Sequence, residues 1–123
     1  EDEHGLNIAI GSEALENLNA GADAYNVAIG HNAGKSVTTW IKNTFVGLVA
    51  GNAVTSGSKH SILGGYSGNQ GGLDIRTSTG FIVLSDGDGN PREYFNQDGL
   101  RNPPKYHFNE LNTLLDNYYN SPN

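Results

Sequence analysis

Four short, mostly apolar stretches recur in the first 72 residues, each ending on a glycine, and alternate positions within a stretch fall on opposite sides of an extended chain. The stretches are Asn7-Ile-Ala-Ile-Gly11, Asn26-Val-Ala-Ile-Gly30, Asn43-Thr-Phe-Val-Gly47 and His60-Ser-Ile-Leu-Gly64. Apolar stretches of this length predict short strands, with Ile8/Ile10, Val27/Ile29 and Phe45 directed to one side and the intervening residues to the other. The copies start at residues 7, 26, 43 and 60, so they lie 19, 17 and 17 residues apart. A small residue follows three positions after each glycine (Ala14, Ala33, Ala50, Ser67), with a second glycine next in the last three copies (Gly34, Gly51, Gly68). Self-similarity at a short, nearly fixed period predicts a solenoid, in which each rung buries its apolar face on the next.

The pattern then changes twice. Between residues 73 and 100, Leu73-Asp-Ile-Arg-Thr77 alternates, and Gly80-Phe-Ile-Val-Leu-Ser85 and Arg92-Glu-Tyr-Phe-Asn96 read as strands around the turn-rich Asp86-Gly-Asp-Gly-Asn-Pro91. This predicts a small antiparallel unit with a hairpin at 86–91. From 101 to 123, Asn102-Pro-Pro104 precedes a stretch from Tyr106 to about Tyr119 in which Phe108, Leu111, Leu115 and Tyr118 are spaced 3, 4 and 3, a seam on one helix face. Two turns of seam are too few for an isolated coiled coil but adequate as a cap on an existing assembly.

Composition sharpens this picture. Glycine accounts for 17 of 123 residues and asparagine for 16, a composition suited to tight corners and poor for long helices. A single thin coil gains little from its apolar faces, at ~25 cal/mol per Å², while ordering each residue costs ~1–2 kcal/mol. A closed ring of identical chains is the usual remedy. The chain has no cysteine, which excludes a disulfide framework and a thiolate metal site. It has no methionine, opens on Glu1 and reads as a piece of a longer protein. The opening Glu1-Asp-Glu-His4 lacks the features of a signal peptide, and no apolar run is long enough to span a membrane. The net charge of −6 and seven scattered basic residues disfavour nucleic acid and anionic membrane surfaces as partners.

The repeats resemble the head repeats of trimeric autotransporter adhesins, and more closely the N-T-F-V-G-x-N-A-G arrays of bacteriophage tail fibres and other appendages. Asn43-Thr-Phe-Val-Gly47-Leu-Val-Ala-Gly51 carries that phrase with Val49 in place of the second asparagine, and the segment from Leu73 to Arg92 is similar to the one that follows such arrays. The chain departs from the pattern at His60, at Gly64-Gly-Tyr66 and in its first spacing. The resemblance covers about residues 5–100 and implies a homotrimer; with the patterns above, the expected protein is mainly β, a homotrimeric parallel β-roll of about four rungs over 1–72, a small β-hairpin unit over 73–100 and a helical cap over 101–123. The resemblance implies attachment or virion architecture and carries no catalytic residue and no cofactor. The residues expected in the trimer core are Ile8, Ile10, Val27, Ile29, Phe45 and Ile62, with Phe108, Leu111, Leu115 and Tyr118 from the helix.

Several motifs invite chemistry. Gly30-His-Asn-Ala-Gly34-Lys-Ser36 approaches a phosphate loop, but has three residues between its glycines where that loop needs four. Asp86, Asp88 and Asn90 have the spacing of the first half of a calcium loop, yet Gln97 stands where the bidentate acid belongs, and a hairpin turn accounts for the cluster. The four histidines lie too far apart for a local metal motif, though any one of them near a trimer axis would appear three times. Trp40 and Tyr66 are the aromatics expected to contact a receptor, by stacking on a sugar face or anchoring a protein. The expected function is therefore non-enzymatic. The chain reads as part of a phage tail fibre or other virion appendage that contacts itself, other virion proteins and a host-surface glycan or protein, without membrane insertion. The alternatives are the head of a bacterial surface adhesin and a polysaccharide-degrading tailspike fragment.

Overall fold

A computed structural model describes residues 5–21, 23–102 and 105–120, with side-chain surroundings for all of these except 102 and 105–112. Three-residue strands form at each copy of the phrase: β1 (Ile8–Ile10), β2 (Val27–Ile29), β3 (Thr44–Val46) and β4 (Ser61–Leu63). They are rich in β-branched residues, which favour extended backbone. Each pairs in parallel with the next at matching positions, so Ala9, Ala28, Phe45 and Ile62 lie in register. The result is a β-solenoid of about four turns.

Glycine ends each strand because the rungs approach too closely there for a side chain. Gly30 has φ +136°, and a Cβ on it would lie 2.3 Å from the carbonyl oxygen of Gly47; Gly47 meets Gly64 in the same way. The second glycine of the phrase faces inward, where a Cβ on Gly51 would lie 2.5 Å from the Phe45 ring.

The sheet does not stop at residue 72. A two-stranded antiparallel excursion, β5 (Asn69–Gln70) and β6 (Leu73–Asp74), leads to β7 (Ile82–Ser85). β7 pairs in parallel with β4, placing Val83 beside Ile62, and antiparallel with β8 (Pro91–Phe95). β7 is therefore both a fifth solenoid strand and the first arm of the hairpin expected at 86–91. β9 (Arg101–Asn102) completes a seven-stranded sheet, and helix α1 (Lys105–Asn120) follows.

The middle residue of each strand points into the roll. Ala28, Phe45, Ile62 and Val83 are buried there, joined by Ala33, Ala50 and Tyr66 from the corners and Val37, Val54 and Ile75 from the return limbs. This corrects the expected alternation. Phe45 and Ile62 stand in register with Ala28 and face away from Ile8, Ile10, Val27 and Ile29. One chain thus has a core of its own, filled by the large Phe45, Ile62 and Tyr66 where other rungs place alanine.

Candidate functional site: the outer face of the parallel sheet

Because the middle residue of each strand points in, the two flanking residues point out. They form two columns across five strands. One is Ile8, Val27, Thr44, Ser61 and Ile82; the other is Ile10, Ile29, Val46, Leu63 and Leu84. Eight of the ten are isoleucine, leucine or valine with substantial exposure or half-burial. Ile10 is 57% exposed, Leu63 56%, Ile8 51% and Ile82 47%. Toward β7 the columns frame an apolar groove of about 190 Å³ lined by Thr44, Val46, Ser61, Leu63, Ile82 and Leu84. Contiguous exposed apolar strips are characteristic of interaction surfaces, whereas singly scattered exposed leucines are ordinary. A second hollow, of about 500 Å³, is the open interior of the first turn between Asn7, Ala9, Leu15 and Asn19.

The expected trimer-core residues consequently divide. Ile8, Ile10, Val27 and Ile29 lie on this outer face, while Phe45 and Ile62 are enclosed within one chain. On α1, Leu115 is 46% exposed and Tyr118 77%; Phe108 and Leu111 lie outside the described side chains. The two aromatics expected at a receptor also divide. Trp40 is exposed on an outer limb. Tyr66 is fully buried, a correction to its expected role: it turns into the last coil, and its hydroxyl donates to the Leu73 carbonyl at 2.8 Å. Burial raises its phenol pKa. The cause is the shortened corner, where Gly65 places Tyr66 at the level of Ala50, whose neighbour Gly51 donates to the Tyr66 carbonyl.

Asp86, Asp88 and Asn90 come together, but as a closed turn. Asp86 Oδ1 accepts from the Asp88 N–H at 3.0 Å and the Asn90 N–H at 2.9 Å, and Oδ2 accepts from Arg92 at 2.5 Å. The Asn90 bonds, followed by the Arg92 interaction, hold the Asp86 carboxyl at about 2. Its oxygens are thus committed to donors within the turn. Among the described residues no three His, Cys, Asp or Glu side chains group as a metal site.

The feature that sequence reasoning missed is a buried side-chain ladder running the length of the solenoid. Asn7 Oδ1 accepts from the Asn26 N–H, Asn26 Oδ1 from the Asn43 N–H and Asn43 Oδ1 from the His60 N–H, at 2.9, 2.9 and 3.0 Å. Each amide nitrogen then ties the rung to its return limb, Asn26 Nδ2 to the Trp40 carbonyl and Asn43 Nδ2 to the Gly57 carbonyl. His60 takes the same place with a ring: Nδ1 accepts from the Phe81 N–H at 3.1 Å, and Nε2 lies 2.9 Å from the Ser78 carbonyl. Since a peptide N–H can only donate, Nδ1 is the bare nitrogen and Nε2 carries the proton. The recurring asparagine that opens each copy was the available signal, and His60 is its isostere, not a break in the repeat.

No family model, curated protein or solved structure matches the chain.

Proposed function

We propose that the chain is a structural and adhesive unit of a virion appendage, a phage tail fibre, in which three copies pack their outer sheet faces around a common axis. The observation that carries this reading is the strip of isoleucine, leucine and valine running over all five parallel strands. Its length matches the solenoid, so a partner that covers it must run alongside every rung, and a second and third copy in register do so by symmetry. The exposed seam residues Leu115 and Tyr118 on α1 extend the same association beyond the sheet. The chain carries a net charge of −6, and Trp40, exposed on an outer limb, is the residue offered to a host glycan or protein.

The test is absolute mass in solution by light scattering behind a sizing column. A value near three times 13.1 kDa supports the reading, and binding of the labelled trimer to host cells, lost in Trp40→Ala, then supports the attachment role. A monomer overturns it, because the apolar strip would then face water.

A further inference from the structure

His60 occupies the one described position where the ladder carries a titratable group. It joins the fourth strand to the segment that enters β7. The ring is enclosed: the residue is fully buried, its ring centre lies 6.2 Å from that of Phe81, and a Cβ on Gly57 would sit 2.3 Å from Nε2. The groups against it are Asn43 from the preceding rung, Gly57 and Ser78 from the return limbs, and Phe81 ahead of β7; none of these titrates. Lys42 and Lys59 flank Asn43 and His60 in the chain but are exposed, and Tyr94 stacks on the far side of Phe81. None of these three exerts a charge effect on the imidazole.

A proton arriving at Nδ1 has no acceptor to meet. It opposes the Phe81 N–H head-on, so ionisation requires the His60–Phe81 link to open. Asn26 and Asn43, which make the equivalent links at the other junctions, cannot respond to pH in this way. We propose that His60 makes the junction between β4 and β7 an acid-sensitive latch: protonation releases the β7–β8 hairpin and the chain that follows while the earlier rungs stay coiled. The contacts involved lie within one chain, so the latch stands or falls independently of the trimer.

Burial lowers the His60 pKa from its ordinary 6.5, with the Ser78 carbonyl opposing. The closed state therefore prefers the neutral ring, and the open state binds the proton more readily. The stability of the closed junction is complete above about pH 6.5, falls as the pH drops below it, and levels off below the closed-state pKa. Inside that window each pH unit raises the opening constant about tenfold.

Amide hydrogen exchange on the full chain, corrected for the intrinsic pH dependence, reads this directly. Between about pH 7.5 and pH 5, protection at Phe81 and Leu84 is expected to fall about tenfold per unit within the window, while Val27 and Gly47 keep theirs. His60→Asn, which restores a non-titrating ladder residue, is expected to abolish the fall. An equal fall in His60→Asn, or one spread evenly over all rungs, overturns the latch. If that variant does not fold, ring NMR of the unmodified protein decides. An Nε2–H tautomer titrating below 6.5 supports the latch, and an Nδ1–H tautomer or an ordinary midpoint overturns it.

Discussion

Single residues show where the repeat is well made and where it is compromised. The corner position two residues after each of the first three strand-ending glycines is left-handed, with φ of 61° at Glu13, 59° at Asn32 and 54° at Val49. Asparagine tolerates that conformation, whereas a β-branched side chain is strained in it. Asn32 Oδ1, on the neighbouring rung, is buried without a hydrogen-bond partner. Val49→Asn should relieve the strain and bring an amide donor to the level of that oxygen. We expect it to raise stability by about 1–2 kcal/mol, read from the denaturation midpoint at unchanged slope. The opposite result, a loss, would mean that Val49 contributes more by packing than it costs in backbone strain. Asn43→Ala removes a middle link of the ladder. It leaves the buried His60 N–H and Gly57 carbonyl without their partners, at roughly 1–3 kcal/mol each. Its cost should therefore exceed that of Asn17→Ala, whose amide makes only an exposed bond to the Lys35 carbonyl.

At the scale of elements, the strands, the hairpin turn and the terminal helix were legible because each has a local cause. A short apolar stretch bounded by glycine makes a strand, Asp86-Gly-Asp-Gly-Asn90 makes a turn around one carboxylate, and the 3–4–3 spacing makes a helix. The phase of the strands was not legible. In Ile-Ala-Ile the larger residues flank a small one, in Thr-Phe-Val the large one is central, and a reading by size alone joins Phe45 to Ile8 and Ile10. Only register decides, and register is set between rungs, by the ladder and by glycine stacked on glycine. This makes Gly47→Ala informative. Its methyl would lie 2.3 Å from the Gly64 oxygen at φ +140°, a conflict with backbone that no rotamer resolves. The expected outcome is loss of the far-ultraviolet β signal or a melting point lowered by many degrees. A variant that melts like the parent would show that rung spacing is looser than the stacked glycines indicate. Tyr66 was missed for a similar reason, since the residue count of one shortened corner, not its own chemistry, turns it inward.

For the whole molecule, the proposed trimer assigns the two faces of one sheet separable tasks, and paired substitutions test that assignment. Phe45→Ala acts on the inner face. It empties the most crowded level of the core, opposite Gly34 and Gly51, and a buried phenylalanine removed this way costs about 3–5 kcal/mol. Its melting temperature should drop whatever the oligomeric state. Leu63→Asp acts on the outer face, where the side chain is 56% exposed and makes little contribution within one chain. In an isolated chain the aspartate is solvated and close to neutral in effect. In a trimer it places a carboxylate from each copy within the apolar seam, where an unpaired buried charge is strongly unfavourable. Leu63→Asp should therefore lower the mass toward 13.1 kDa with the β signal retained, and Ile82→Asp, on the neighbouring strand, should do the same. A trimer that survives both substitutions would place the shared surface elsewhere. A monomeric parent whose stability is unmoved by either would leave the roll complete as one chain, and the apolar strip would then need a partner other than itself.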